Sequence, residues 1–162
     1  MLRDLLVNKR SSIINNWIQL IVETYPSKTS SFLKSQKDRF SNPVGYSISS
    51  NAEKIFDEII KGRDIEIVKN SLNDLIKIRA VQNFSPSQAV GFIFSLKKVI
   101  RKEFEQEVIE GNAKSELIDI EEYIDDIALI AFDLYMDARE KLFNIRISEI
   151  KSQLTYSKGM TE

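Results

Sequence analysis

The sequence contains no histidine and no cysteine. Without cysteine, the chain can form neither a disulfide framework nor a thiolate site. Without histidine, it lacks the commonest general base near neutral pH and the commonest ligand of zinc and haem iron. These absences exclude Ser-His-Asp hydrolysis and a histidine-ligated haem. A haem could then be held only by tyrosine or methionine. We therefore expect a protein that is not an enzyme and has no catalytic residue, metal or cofactor.

No charge of one sign dominates, because 23 lysines and arginines face 24 aspartates and glutamates. A nucleic-acid-binding protein usually has a concentrated basic surface, so we expect no nucleic-acid partner. The basic cluster at residues 97–102 is followed at once by glutamates, which is typical of a solvated helix face. No apolar run approaches the roughly 18 residues that a membrane span needs. We expect no membrane association and a cytoplasmic location.

Glycine and proline are also scarce, with five and three residues respectively, and this favours long helices over a fold with many turns. Apolar residues recur at helical spacing in most segments. The sequence thus predicts an all-α protein of six to seven helices, with one domain over residues 1–156 and a disordered tail over 157–162. The helices are predicted at about Leu2–Tyr25, Ser31–Phe40, Ile48–Lys61, Asp64–Asn83, Pro86–Phe104 and Ser115–Tyr156.

The clearest start signal is the run Ser85-Pro86-Ser87-Gln88. It places a capping serine before a proline at the first helical position and a glutamine at the third. This pattern predicts a capping box, in which the missing N–H of the proline costs nothing.

The last predicted helix has an apolar seam that includes Ile127, Leu134, Leu142 and Ile145. Its three- and four-residue steps approach a heptad repeat. At about 1.5 Å per residue such a helix approaches 60 Å, more than a domain of this size can cover. We expect its second half to project or to pair with a partner, and we predict a homodimer through these four residues.

A second candidate site surrounds the end of the fourth predicted helix. Arg79 and Gln82, three residues apart, could line a pocket for an anion, or could close the helix with salt bridges and caps. The aromatic residues Trp17, Tyr25 and Phe84 could line a pocket or pack in the core. The candidate ligand pocket or signal-relay set is Arg79, Gln82, Phe84, Gln88 and Phe92.

Carboxylates at helical spacing, Glu121, Glu122, Asp125 and Asp126, offer one further possibility. Di-iron bundles place glutamates in this way but also use a Glu-x-x-His motif. Since the chain has no histidine, a solvated acidic helix start is the favoured interpretation.

Several runs resemble the N-terminal sensor domain of RsbRD-type RsbT co-antagonist proteins. They are Asn42-Pro43-Val44-Gly45, the segment from Ile78 to Val90 with its Arg-Ala-Val-Gln and Pro-Ser-Gln-Ala-Val motifs, the segments 92–97 and 100–101, Trp17, and Thr24-Tyr25-Pro26. The resemblance covers about residues 10–150. It implies a globin-like helical domain that uses no haem and passes a signal to a downstream effector protein or domain.

Two functions are consistent with these observations. The first is a sensory or regulatory signalling domain that detects a signal and transmits it through its C-terminal helix and dimer interface. The alternative is a protein–protein interaction module with a solid core and no ligand. No output domain follows the last helix in this sequence, so we expect either one part of a larger signalling protein or a free-standing domain.

Overall fold

A computed structural model describes residues 2–35, 38–105 and 111–160 and confirms the all-α prediction with its long C-terminal helix. No strand occurs within these ranges. The helices are α1 (Leu2–Asn8), α2 (Arg10–Glu23), α3 (Ser27–Ser35), α4 (Pro43–Asp57), a π-helical turn (Glu58–Gly62), α5 (Ile65–Val81), α6 (Pro86–Val90), α7 (Phe92–Glu103) and α8 (Asn112–Gly159).

The structure divides two of the predicted helices. Lys9 interrupts the first predicted helix, with φ −98° and ψ 11°, and separates α1 from α2. Gly91 separates α6 from α7, although its φ of −58° and ψ of −24° remain in the right-handed helical region. The chain therefore changes direction only slightly at Gly91, and α6 and α7 correspond to the single fifth helix of the prediction.

The predicted bounds of the second and third helices were wrong. The second helix begins at Ser27 rather than Ser31 and ends at Ser35, and residues 36 and 37 lie outside the described residues. The third begins at Pro43 rather than Ile48, because Asn42 caps it: the Asn42 side-chain oxygen accepts from the Gly45 N–H at 2.8 Å. A proline at the first helical position is also pre-organised for a helix start.

Helix α5 lies at the centre of the packing. It contacts α4 on one side and α8 on the other, while α2 packs against both α4 and α7. The buried core that these helices share includes Trp17, Phe56, Leu72, Ile76 and Ile124.

Helix α8 is covered by the domain over only part of its length. Its 48 residues correspond to about 72 Å. Its buried side chains lie between Ala113 and Tyr135, and from Phe143 onward nearly every residue is exposed.

The helix continues to Gly159, so residues 157–159 are helical where the sequence predicted a disordered tail. Within α8 no proline or glycine precedes Gly159 to stop the helix. Residues 161 and 162 lie outside the described residues. Among the described helices, none is both long and apolar enough to cross a membrane.

Candidate functional site: a buried arginine among aromatic rings

Arg79 is the most unusual residue of the core, because it is charged and only 1% exposed. It lies in the last turn of α5. Its Nη1 donates to the Gln88 carbonyl at 3.1 Å, and its Nη2 donates to the Thr24 hydroxyl at 3.0 Å and to the Ile21 carbonyl at 3.4 Å. One guanidinium therefore joins the ends of three helices, α2, α5 and α6.

The charge of Arg79 is not balanced by a carboxylate from the described residues. Its acceptors are instead two carbonyls and a hydroxyl, which lie at or near the C-terminal ends of α2 and α6. The C-terminal end of a helix carries partial negative charge, which offsets a cation placed there. Burial still lowers the pKa of the guanidinium, because desolvation penalises the charged form. An arginine keeps its charge in proteins, so this is a permanent buried cation.

Three aromatic rings surround the guanidinium. Its central carbon lies 4.7 Å from the ring centre of Phe92, 4.8 Å from that of Phe84 and 5.3 Å from that of Tyr25. The Tyr25 and Phe84 rings meet edge to face with centroids 5.2 Å apart. Such cation–π contacts are strongest where water is excluded. We call the side chains of Arg79, Tyr25, Phe84 and Phe92 the arginine cluster.

Tyr25 and Trp17 show how tightly this region is enclosed. Burial raises the pKa of the Tyr25 phenol above its ordinary value, and the nearby Arg79 charge opposes that shift in part. The Trp17 ring stacks against Phe92, with centroids 6.3 Å apart, and its indole N–H donates to the Phe92 carbonyl at 2.8 Å. Aromatic side chains thus pack closely around Arg79.

The arginine cluster is tied to α8 through the chain between α5 and α6. The Tyr135 hydroxyl of α8 donates to the carbonyl of Phe84, and Arg139 of α8 donates to the Ala80 carbonyl at 3.1 Å. Asn83 between them has a positive φ of 60°, which turns the chain out of α5. A shift of Phe84 would therefore act directly on α8 through the hydrogen bond from Tyr135.

The structure brings together three of the five residues of the predicted pocket, namely Arg79, Phe84 and Phe92. Gln82 does not join them, because α5 ends at Val81 and the Gln82 side chain is exposed. The Gln88 side chain is also exposed and completes the predicted capping box with Ser85; only its main-chain carbonyl reaches Arg79.

The sequence did not reveal the role of the end of α2. Ile21 contributes a main-chain carbonyl, which no side-chain pattern can signal, and Thr24 was noted only as part of the Thr24-Tyr25-Pro26 run.

The predicted dimer residues are divided by the structure. Ile127 is completely buried, and Leu134 and Leu142 pack in part against the same core, so these side chains contact their own domain. Ile145 is 54% exposed. Helix α8 has a second apolar stripe on the side away from the core, and the helical period alone could not tell which stripe the domain covers. We call the seven side chains of this second stripe the outer stripe: Leu129, Phe132, Met136, Phe143, Ile147, Ile150 and Leu154.

The acidic residues at the start of α8 are engaged at the surface. Glu121 forms a bidentate pair with Arg101 at 2.5 and 2.7 Å, and Asp125 lies 2.5 Å from Lys97. Two of the four carboxylates thus pair with two residues of the basic cluster across α7 and α8. Within the described residues, no group of three or more acidic side chains is placed to hold a metal ion.

A surface cleft of about 520 Å³ lies between α2, α3 and α4, and its size is within the usual range for small-molecule sites. The side chains of Ile18, Val22 and Leu33 give it an apolar lining, and Asn15 and Ser49 add hydrogen-bonding groups. Helix α2 contributes both to this cleft and, at its end, to the arginine cluster.

Comparison with known proteins identifies the family of this chain. The family model of the RsbT co-antagonist protein rsbRD N-terminal domain matches residues 11–150. An uncharacterized protein of Archaeoglobus fulgidus is 24% identical over 153 residues, which cover 90% of this chain and 87% of the relative. No solved structure matches. Since this family model matches most of the chain, the chain belongs to the family of RsbT co-antagonist protein rsbRD N-terminal domains and is a regulatory domain of the stress-signalling type.

Proposed function

We propose that this chain is a sensory domain in which the arginine cluster controls the position of α8, and that α8 transmits the signal through a homodimer to a downstream signalling protein or domain. The observation that carries the proposal is the pair of contacts at Phe84. Its ring lies against the Arg79 guanidinium, and its carbonyl accepts from Tyr135 of α8. One residue thus belongs to both the cluster and the output helix.

The arginine cluster has the properties of an element with two alternative arrangements. A buried cation is tolerated only while its hydrogen bonds and ring contacts are all made, because an uncompensated buried charge is costly. The acceptors of Arg79 come from two segments, the end of α2 and α6, so a small shift of α2 would break bonds that only a new side-chain arrangement could replace. Packed cores respond to such shifts by switching rather than by continuous deformation.

The cleft between α2, α3 and α4 supplies an input face in this proposal. Its wall includes Asn15, Ile18 and Val22 of α2, and the same helix ends at the Ile21 carbonyl and Thr24 hydroxyl that hold Arg79. A small molecule with an apolar body and hydrogen-bonding groups would press on α2. A ligand shifts an equilibrium only by its differential affinity for the two states, and displacement of α2 supplies that difference.

Distance measurements between spin labels test the relay. Since the chain has no cysteine, labels can be placed at Ser11→Cys in α2 and Ser148→Cys in α8, and labelled chains can be diluted with unlabelled ones. We expect Tyr135→Phe and Arg79→Lys to shift or broaden the distance distribution. Tyr156→Phe, at an exposed tyrosine of the same helix, is the matched control and should leave it unchanged. Identical distributions in all four proteins would refute the relay.

The alternative function is an interaction module without a ligand, and one observation favours it: aromatic side chains pack closely around Arg79. A thermal-shift screen separates the two functions, because a ligand of the folded state raises the melting temperature by mass action. A hit whose effect is lost in Ser49→Trp, which would block the cleft, supports the sensor. A screen without hits supports the interaction module.

The proposal assigns no catalytic step to this chain and places the domain in the cytoplasm, where its signalling partners would act. Support for a regulatory rather than enzymatic role comes from the family, and from a sequence that has no histidine and leaves carboxylates as the plausible acid–base groups.

A further inference from the structure

We infer that the outer stripe of α8 binds the same stripe of a second copy of this chain, and that the two helices run antiparallel. This inference rests on the proposed homodimer and specifies its geometry.

The outer stripe is a long and narrow apolar surface, in which six side chains are exposed and Ile147 is half-buried. At 100° per residue its seven side chains fall within an arc of about 60°, and from Leu129 to Leu154 they extend over about 38 Å. Leu129 is 65% exposed and Phe143 is 63% exposed. A continuous exposed apolar surface of this kind usually marks an interaction site. Its width is that of a helix–helix seam, so its occupant is another helix.

The charges beside the stripe change sign along α8. From Glu116 to Glu140 the helix carries nine carboxylates and one arginine, whereas from Lys141 to Lys158 it carries four basic residues and one glutamate. The helix dipole does not explain this pattern, because its influence falls off within the first and last turns. Asp133 and Glu140 lie in the middle of the helix, far from either end.

This polarity distinguishes the two directions in which a second copy could bind. In a parallel, in-register dimer each residue lies beside its own copy, so Asp133 would face Asp133 and Lys151 would face Lys151. An antiparallel dimer places the acidic half of one helix beside the basic half of the other. Arg139, the exception in the acidic half, is directed toward its own domain by its bond to the Ala80 carbonyl.

An antiparallel pair with its two-fold axis at Phe143 also matches the apolar side chains. Phe143 would pack against its own copy, Met136 against Ile150, and Phe132 against Leu154. Phe132 and Met136 of the acidic half thus find apolar partners from the basic half, whereas Leu129 would lie opposite Ser157 at the edge of the contact and Ile147 opposite the aliphatic stem of Arg139. Because the stripe faces away from the core, the two domains would lie on opposite sides of the helix pair without collision.

Disulfide crosslinking tests the direction, since the natural chain has no cysteine to interfere. Met136→Cys and Ile150→Cys are made in separate full-length chains, mixed, and oxidised. Residues 14 apart on a helix are separated by about 21 Å, whereas a disulfide needs Cα atoms within about 7 Å. We expect the crosslinked fraction of the mixture to exceed that of either variant alone by about tenfold. Phe143→Cys, at the axis, reports any pairing through this stripe.

The possible outcomes separate this inference from the dimer proposal. Efficient crosslinking of Ile150→Cys with itself would show a parallel pair and overturn the inference, while leaving the dimer intact. A dimeric mass in analytical ultracentrifugation without crosslinks at any of the three positions would place the interface elsewhere and also overturn it. A monomeric mass at high micromolar concentration would refute both.

Charge reversal provides a second and independent readout. We expect Asp133→Lys or Lys151→Asp alone to raise the dimer dissociation constant about fivefold at low salt, since each symmetric dimer loses two exposed ion pairs. The double variant should recover the natural value, because the antiparallel pair exchanges one charge for the other. A double variant weaker than both single variants would contradict the inference.

Discussion

Both halves of α8 contain apolar residues, but the rest of the domain packs against the first half and leaves the second half exposed. In the first half, side chains such as Ile124 and Ile127 are buried against the rest of the domain, chiefly α5 and α7. In the second half, Phe143 and Ile150 have no neighbouring helix within the described residues and remain exposed. Apolar content therefore does not decide which part of a helix stabilises the domain; the presence of a packed neighbour does.

The largest predicted contrast compares the same substitution in the two halves. Ile127→Ala should lower the free energy of unfolding by about 3 kcal/mol, since it removes buried methyl groups and leaves a cavity. Ile150→Ala is the matched control and should change it by less than about 0.5 kcal/mol, as an exposed substitution does. Urea unfolding at protein concentrations below dimer formation measures both. Equal losses would show that the second half is packed in solution and would remove the contrast.

The next effect concerns the arginine cluster that joins the first half of α8 to the domain. Arg79→Met keeps much of the side-chain volume but removes the side-chain donor to the Gln88 carbonyl and to the Thr24 hydroxyl, whereas the Ile21 carbonyl keeps the Thr24 N–H and hydroxyl as donors. We expect a loss of about 2 kcal/mol in unfolding free energy, since a buried acceptor without a partner costs about 1–3 kcal/mol.

An unchanged or increased stability of Arg79→Met would indicate that the desolvation cost of the charge outweighs its bonds. Arg79→Lys distinguishes charge from shape. Lysine keeps the positive charge but lacks the planar fork that reaches acceptors from two helices at once. A loss as large as that of Arg79→Met would show that the geometry of the guanidinium, and not its charge, holds the cluster together.

A smaller effect is expected at the contact between the cluster and α8. Tyr135→Phe removes only the hydroxyl that donates to the Phe84 carbonyl. We expect a loss of about 1 kcal/mol, together with faster amide hydrogen exchange at the end of α5 and in the adjoining turns of α8. Tyr156→Phe in the exposed half should change neither quantity. Faster exchange confined to α5 would mean that the bond does not couple the two helices.

Much of the fold could be predicted because its signals are local. The scarcity of glycine and proline and the helical spacing of apolar residues specified an all-α chain, and Ser85 to Gln88 specified a capping box that the structure contains. The predicted bounds of α3 and α4 were wrong, because α3 ends at Ser35 and Asn42 with Pro43 is the start signal of α4. A globin-like arrangement stays a prediction.

The site could be predicted only in part, for a physical reason. Arg79, Phe84 and Phe92 were identified as candidates, but their acceptors include main-chain carbonyls, and every residue type has one. Gln82 was predicted beside Arg79 on the assumption that the helix includes both residues. Helix α5 ends at Val81, one residue earlier, so helical spacing does not place the Gln82 side chain there. The buried and exposed stripes of α8 have the same period, so only the neighbouring helices determine that Ile127 faces inward and Leu129 outward.

The smallest predicted effect concerns Ser152 in the exposed half of α8 and is compared with Ser85, which caps α6. Ser85→Ala removes a side chain that accepts from the Gln88 N–H at the start of α6, and should lower the unfolding free energy by about 1 kcal/mol. Ser152 lies within the exposed half of α8, where alanine is the better helix former by a few tenths of a kcal/mol. Ser152→Ala should therefore leave global unfolding unchanged and slightly raise helical circular dichroism. If Ser152→Ala instead altered the urea midpoint, the second half of α8 would have to unfold together with the domain, and the two halves would form one cooperative unit.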